Sequence, residues 1–178
     1  MNILALDLSL TSTGWARYAG GAFEQGLLEP NGRRGYDRLA WIRSEVLRLA
    51  AGADLVVIEG YSYGSKGRAI LDQAELGAVV RMALRDLGYT WVEVPPAVLK
   101  KYATGRGNAG KEEVLVEAVR RLGYGGARND EADALWLLEM ALDHYGLRSE
   151  SRVPKAQREA LQKVHWPEVA GRTAAMTR

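Results

Sequence analysis

The 178-residue sequence contains no cysteine and only two histidines, His144 and His165. The absence of cysteine excludes disulfide bonds and thiolate metal sites, and it is typical of proteins from a reducing compartment. No apolar run approaches the roughly 18–20 residues that a membrane span requires. Met1 leads directly into a strand-like segment, without the basic flank of a signal peptide. We therefore expect a cytoplasmic protein that does not interact with a membrane.

The length fits one domain, with or without a tail. Residues 148–178 carry seven basic and three acidic side chains, whereas residues 1–147 carry 17 basic and 19 acidic ones. We predict a folded domain over residues 1–147 and a basic C-terminal tail over residues 148–178, with a short helix in "KAQREALQKV". A basic tail suits a polyanionic partner, and a merely solvated tail is the alternative.

Alternating apolar patterns predict an α/β protein. The segments "NILALDLSL", "ADLVVIEGY" and "YTWVEV" are typical of strands, and Gly20-Gly21 indicates a hairpin between two more. Helical periodicity begins near Arg34, Ala69, Lys111 and Asp130. This order predicts a mixed five-stranded sheet, a three-strand meander plus two parallel strands, with helices on both faces.

Two carboxylates fall at the ends of predicted central strands. Asp7 lies inside the apolar run "LALDLSL", where an unpaired charge costs several kcal/mol or more. Glu59 ends the second buried strand. Ligands gather at strand ends in sheets of this kind, so both residues are candidates for a site.

The segment "NDEADALWLLEMAL" supplies two more carboxylates, Asp130 and Asp133, on one helical face that points toward the body. Asn129 is a candidate N-cap, which places both aspartates in the first turn. Ordinary complementation of the helix dipole is the structural alternative for this pair. An ordinary strand terminus is the alternative for Glu59.

Four carboxylates in these positions repel one another unless cations lie between them. Oxygen ligands without nearby imidazole favour Mg²⁺ or Mn²⁺ over zinc. Two such ions in one site suit phosphoryl chemistry, in which no protein nucleophile is needed. We expect both histidines to be surface or cap residues.

The motifs "LDLSLTSTGWA", "VVIEGYSYG", "KKYATGRGNAGKEEV" and "NDEADAL" occur in an order that resembles the RuvC-type Holliday junction resolvases. The phage-encoded branch is the most similar. The first motif departs from the bacterial pattern, in which Pro-Gly commonly follows the first aspartate, whereas Leu8-Ser9 stands here. The resemblance implies a ribonuclease H-like fold and a homodimer that nicks four-way DNA junctions symmetrically with Mg²⁺ or Mn²⁺. It further implies that the protein acts in the cytoplasm of a bacterial cell or of a phage-infected host.

The resemblance assigns roles to individual residues. It makes Asp7, Glu59, Asp130 and Asp133 the metal-binding, catalytic carboxylates and Lys111 a basic residue at the DNA backbone. The aromatic that stacks at the crossover in this family aligns with Ser62, between Tyr61 and Tyr63. The sequence itself places basic residues in loops and helix starts on the carboxylate side of the sheet, where they suit the DNA backbone: Lys66, Arg68, Lys100, Lys101, Arg106 and Lys111.

Rival functions remain open. "GRGNAGKE" nearly matches a phosphate-binding loop, but Glu112 replaces the required hydroxyl, so we expect no nucleotide cofactor. A nuclease that acts on other branched DNA or on RNA–DNA hybrids has similar carboxylates. A non-catalytic junction-binding protein is the third possibility. Small residues near Ala74, Gly77 and Ala78 permit close packing in a dimer or against the chain's own sheet.

Overall fold

The computed structural model describes residues 1–61 and 68–169. Its strands are β1 (Ile3–Asp7), β2 (Thr13–Ala19), β3 (Ala22–Leu28), β4 (Leu55–Glu59) and β5 (Trp91–Val94). Its helices are α1 (Gly35–Ala50), α2 (Arg68–Asp86), α3 (Pro96–Thr104), α4 (Lys111–Glu117), α5 (Asn129–His144) and α6 (Lys155–Arg158). A π-helical turn (Ala118–Leu122) continues α4, and a 3-10 turn (Glu159–Lys163) continues α6. Within the described residues, no helix has both the length and the apolarity to cross a membrane.

The five strands form one mixed sheet in the order β3-β2-β1-β4-β5. The pairs β1–β2 and β2–β3 are antiparallel, whereas β1–β4 and β4–β5 are parallel. Gly20 and Gly21 both adopt positive φ, 58° and 90°, in the two-residue turn that joins β2 to β3. This turn requires left-handed backbone at both positions, which glycine adopts without strain. The predicted meander and parallel strands are confirmed.

Alternation along β1 divides the core between the two faces of the sheet. Leu4 and Leu6 pack with residues of α1 and α2, and Ile3 and Ala5 pack with residues of α3, α4 and α5. The predicted helices on both faces are therefore confirmed. Because side chains two residues apart in a strand share a face, Asp7 faces the same side as Ala5. This is the side that α5 covers.

Helix α5 is buried along most of its length, and Trp136 and Leu137 are completely inaccessible to solvent. The indole Nε1 of Trp136 donates a hydrogen bond to the Val114 carbonyl oxygen at 3.1 Å. This contact joins α4 to α5 and satisfies the one polar atom of a large buried ring. The two helices therefore carry their polar residues to the sheet edge as one packed unit.

The segment after residue 147 packs against the same core, to which it contributes Val153, Leu161 and Val164. Its basic side chains also reach buried acids of α5. Arg148 bonds Glu139 at 2.8 Å, and Arg158 bonds Asp143 at 3.0 Å. These two arginines therefore neutralise carboxylates of the same chain. The domain boundary at residue 147 stays a prediction.

Candidate active site

The candidate site lies at the edge of the sheet where β1 and β4 end. Asp7 is the last residue of β1, and Glu59 is the last residue of β4. The two strands are parallel neighbours, so their carboxyl ends lie side by side. Asp7 is 9% exposed, which makes it one of the few buried charged residues of the described chain.

Helix α5 brings Asp130 and Asp133 to this edge because its first turn packs directly on the backbone of β2. A Cβ atom at Gly14 would lie only 1.9 Å from the carbonyl oxygen of Asp130. Gly14 pairs with Asp7 in the antiparallel ladder. The glycine of "DLSLTSTG" therefore leaves the space in which α5 approaches Asp7. The sequence analysis assigned this glycine no role.

The predicted N-cap at Asn129 is wrong. Asn129 is the first residue of α5, and Arg128 occupies the extended cap position without a side-chain cap. The hydroxyl of Tyr124 accepts a hydrogen bond from the Arg128 backbone N–H at 3.2 Å and itself lies 2.8 Å from the Glu131 carboxylate. Tyr124 thus organises this helix start. Asp130 lies in the first turn, and Asp133 follows in the second turn.

The four acidic residues line one cleft of about 230 Å³. Ser9 and Gln73, which the sequence analysis did not select, also line it. Ser9 belongs to the quoted motif after Asp7, but Gln73 is one of several exposed polar residues of α2, and no sequence pattern distinguishes it. The predicted residues that line the cleft are Asp7, Glu59, Lys100, Lys111, Asp130 and Asp133.

Burial and mutual repulsion raise the pKa values of the acids in this cleft. Burial raises the pKa of Asp7 well above its usual range, and the charges of Glu59, Asp133 and Asp130 raise it further. The pKa of Asp133 is raised to about 7, first by burial and then by Glu59, although Lys111 opposes this. Burial also raises the pKa of Glu59, against the lowering effect of its hydrogen bond with Asp7.

The protonation of Asp7 is thus linked to that of Glu59, because each carboxyl group shifts the pKa of the other. Over residues 1–61 and 68–169, no group of three or more His, Asp or Glu side chains is arranged as a ready metal cluster. The donor set still fits a hard divalent cation. All of its candidate donors are carboxylate oxygens, and the carboxylates repel one another strongly enough to add to the effect of burial on the pKa values of Asp7 and Asp133.

Hydrogen bonds fix the loop that follows Asp7. The Thr13 hydroxyl donates to the Ser9 carbonyl oxygen at 2.9 Å and accepts the Ser9 backbone N–H at 3.0 Å. Arg128 donates to the Ser12 hydroxyl at 2.9 Å and to Glu29 at 3.2 Å. These bonds connect the β1–β2 loop to the end of β3 and to the start of α5. The Ser/Thr-rich motif therefore holds the walls of the cleft together.

The predicted DNA-binding residues occupy different places. Lys100 and Lys111 line the cleft, whereas Arg106 forms an ion pair with Glu113 beside a neighbouring cavity. Lys101 is half-buried on α3 and is absent from the residues that line the cleft. Ser62, Tyr63 and Lys66 lie outside the described residues, as does the side chain of Arg68.

Tyr61 follows Glu59 by two residues and packs against α2. Its ring lies 4.6 Å from the guanidinium of Arg81, which also donates to its hydroxyl at 3.1 Å. Arg81 bonds Glu93 of β5 at 2.7 Å. A Cβ atom at Gly77 would lie 2.2 Å from the Tyr61 hydroxyl, so Gly77 packs within the chain. In this arrangement the contacts of the Tyr61 ring hold the segment after β4 against α2.

No family model matches the chain, but two curated proteins have related sequences. A protein of Synechococcus sp. (strain WH7803) named crossover junction endodeoxyribonuclease RuvC is 30% identical over 145 residues, which cover 76% of this chain and 94% of that protein. The protein of the same name from Anaeromyxobacter sp. (strain Fw109-5) is 32% identical over 151 residues, covering 83% of this chain and 70% of that protein.

Solved structures give the same fold. Thermus thermophilus RuvC in complex with a Holliday junction substrate superposes with a TM-score of 0.64 at 20% identity, covering 77% of this chain and 90% of that chain. A second structure of Thermus thermophilus RuvC gives a TM-score of 0.60 at 21% identity with the same coverage. The mixed sheet with carboxylates at the ends of β1 and β4 is thus the ribonuclease H-like fold that the sequence predicted.

The sequence relationship defines the family more narrowly than the fold does. The alignment with this chain covers nearly the whole length of the Synechococcus protein and most of the length of the Anaeromyxobacter protein. The chain belongs to the RuvC family of crossover junction endodeoxyribonucleases.

Proposed function

We propose that this chain is a metal-dependent endonuclease that resolves four-way DNA junctions by paired, symmetrical nicks. The observation that carries the proposal is the single cleft in which four carboxylates face two lysines, in a chain of the RuvC family. The named Thermus thermophilus complex with a Holliday junction supports the substrate class.

The four carboxylates are the residues that would hold the metal. Asp7 and Glu59 would hold the ions between the two strand ends, and Asp130 and Asp133 would complete their ligands from α5. Two Mg²⁺ or Mn²⁺ ions, when bound, would supply an activated water and charge stabilisation at the scissile phosphate. A divalent cation in this cleft also removes the repulsion that raises the pKa values of Asp7 and Asp133.

The lysines of the cleft provide the positive charge that the DNA backbone needs. Lys100 of α3 and Lys111 at the start of α4 line the cleft beside the acids. Lys111 is exposed, and both lysines lower the pKa of Glu59. We assign Lys111 to the scissile phosphate, which it orients by charge, and Lys100 to a neighbouring phosphate.

We further propose a homodimer that pairs through α2. Leu71 and Met82 of this helix are 68% and 61% exposed, and the exposed residues Ala74 and Ala78 lie between them. Large apolar side chains exposed on one helix face are typical of an interface. Light scattering should give a dimer for the wild type and a monomer for a Leu71→Glu/Met82→Glu variant. A wild-type monomer with and without junction DNA would remove this part of the proposal.

The phage-encoded branch and the cytoplasm of a bacterial cell or phage-infected host remain proposals. They rest on Leu8-Ser9 after the first aspartate and on the absence of cysteine. Growth of a resolvase-deficient bacterial strain that expresses this chain would support an intracellular site of action. A failure to restore repair in the presence of soluble, active protein would count against it.

A nicking assay on labelled four-way junction, linear duplex, flap and RNA–DNA hybrid tests the function. Each substrate is incubated with Mg²⁺, Mn²⁺ or EDTA. We expect paired nicks at symmetrical positions of the junction, and none with EDTA. Preferential hydrolysis of the hybrid would instead assign ribonuclease H activity. Tight junction binding without cleavage under either metal would assign a binding protein.

A further inference from the structure

The segment between β3 and α1, together with the first turn of α1, carries three arginines, Arg33, Arg34 and Arg38, which we call the arginine patch. Arg33 and Arg34 are exposed, and Arg38 is half-buried one turn into the helix. Within the described residues, none of the three forms an ion pair with an acid. The sequence analysis did not include them among the DNA-binding residues.

Arg33 is held in position although its charge is unpaired. Its Nη1 donates to the Pro30 carbonyl oxygen at 2.9 Å, and its guanidinium lies 4.9 Å from the ring of Trp41. A guanidinium fixed on an aromatic ring loses less conformational entropy when it binds an anion than a free one does. The remaining N–H donors of Arg33 are therefore preorganised for a ligand with oxygen acceptors.

The topology places the patch on the same sheet edge as the carboxylate cleft. Strand β3 is antiparallel to β2, and β2 is antiparallel to β1, so β3 and β1 run in the same direction. The end of β3 at Leu28 therefore lies at the edge where Asp7 ends β1. The two strands are two positions apart, which corresponds to about 10 Å.

Arg128 connects the end of β3, which precedes the patch, to the loop that lines the cleft. Arg128 bridges Glu29, just after β3, and Ser12 of the β1–β2 loop. Glu29 is thereby neutralised, and Asp37 is the acidic residue within the first turn of α1. The cleft thus has Lys100 and Lys111 on the β5 side and the arginine patch on the β3 side.

We propose that the arginine patch binds the phosphate backbone of a duplex arm next to the cleaved phosphate. The spacing of about 10 Å between the ends of β3 and β1 corresponds to roughly three base pairs at about 3.4 Å per base pair, so both strand ends can lie along one duplex arm. The patch would position the arm from the flank opposite to the lysines and carry no sequence preference. This inference rests on the proposed function, because it requires DNA to lie across the cleft.

The test compares junction binding by the wild type, an Arg33→Ala/Arg34→Ala variant and an Arg48→Ala control. Arg48 lies near the other end of α1, about 21 Å along the helix from Arg34, and forms an exposed pair with Glu45. Fluorescence anisotropy is measured over a range of salt concentrations with EDTA. An Arg34→Ala variant is included because it leaves the contact between Arg33 and Trp41 intact.

Removing two phosphate contacts should make the slope of log K against log salt concentration shallower by about 1.8. We expect binding about tenfold weaker at moderate salt, with half of the slope change in Arg34→Ala and no change in Arg48→Ala. An unchanged slope in the double variant, with a wild type that binds and cleaves the junction, overturns this inference alone. A wild type that neither binds nor cleaves the junction overturns the proposed function as well.

Discussion

Replacing Gly14 with alanine is expected to displace the first turn of α5 from the cleft. The added Cβ would lie 1.9 Å from the Asp130 carbonyl oxygen and 2.3 Å from its carbonyl carbon. Since a normal C···O contact is about 3.3 Å, the two backbones must separate by about 1.4 Å. Both clashing atoms belong to the main chain of Asp130, so no change of rotamer relieves the contact.

Two effects of different size follow from this displacement. Overpacking of a tight contact costs roughly 1–3 kcal/mol of folding free energy, which a chain of this size can tolerate. A displacement of about 1 Å in an active site can reduce the rate about 100-fold. We therefore expect Gly14→Ala to fold with a modestly lower free energy of unfolding and to nick junction DNA at least 100-fold more slowly.

Urea unfolding and the initial rate of junction nicking measure the two effects separately. Gly125→Ala is the matched control, because a Cβ atom at Gly125 would have no neighbour within 4 Å and its φ is not positive. This control should keep the wild-type rate. A folded Gly14→Ala variant that nicks within threefold of the wild type would refute the role assigned to Gly14.

Three further predictions concern charge. Asp7→Asn should raise the free energy of unfolding in EDTA by about 1–3 kcal/mol in urea titrations, because the neutral amide replaces a buried carboxyl group whose ionisation destabilises the fold. A lower stability would contradict this. The pKa of Asp133 is about 7 in the folded protein and lower in the unfolded chain. The contribution of Asp133 to the stability of the fold is therefore complete below the unfolded pKa and is lost as the pH rises through 7. Relative to Asp133→Asn in EDTA, the wild type should lose on the order of 4 kcal/mol between pH 4 and pH 8, and a constant difference would contradict the shift. Arg148→Ala should lower the free energy of unfolding by about 2–4 kcal/mol, because it leaves Glu139 buried without its main partner. Arg106→Ala breaks an exposed pair and should lower it by less than about 1 kcal/mol. Equal losses in thermal or urea unfolding would contradict this contrast.

The elements that the sequence predicted are those specified by local patterns. The near-continuous apolar run in "NILALD" and the Gly20-Gly21 pair depend on neighbouring residues, so they were sufficient for the sheet and its hairpin. The approach of Asp130 and Asp133 to Asp7 also followed, because strand ends and an inward helix face converge in such a sheet.

Contacts between distant parts of the chain could not be predicted in the same way. The space at Gly14 is defined by a carbonyl group 116 residues away, and no periodicity in the sequence records that approach. Arg148 and Arg158 were counted as part of a basic tail, but the buried partners that neutralise them lie on α5. The cap at Asn129 was wrong for a local reason, because the Tyr124 hydroxyl bonds the backbone of Arg128 four residues later and organises the helix start.

The most direct test of the central claim is the Asp7→Asn variant in a Mg²⁺-dependent nicking assay on a four-way junction. The exposed Asp86→Asn variant is the matched control. Our interpretation predicts that Asp7→Asn binds the junction as tightly as the wild type or more tightly and nicks it at least 1000-fold more slowly, about 4 kcal/mol in the barrier. Asp86→Asn should nick at the wild-type rate. Undiminished nicking by folded Asp7→Asn would show that the buried carboxylate of β1 is not needed for cleavage, and the proposed site would be wrong.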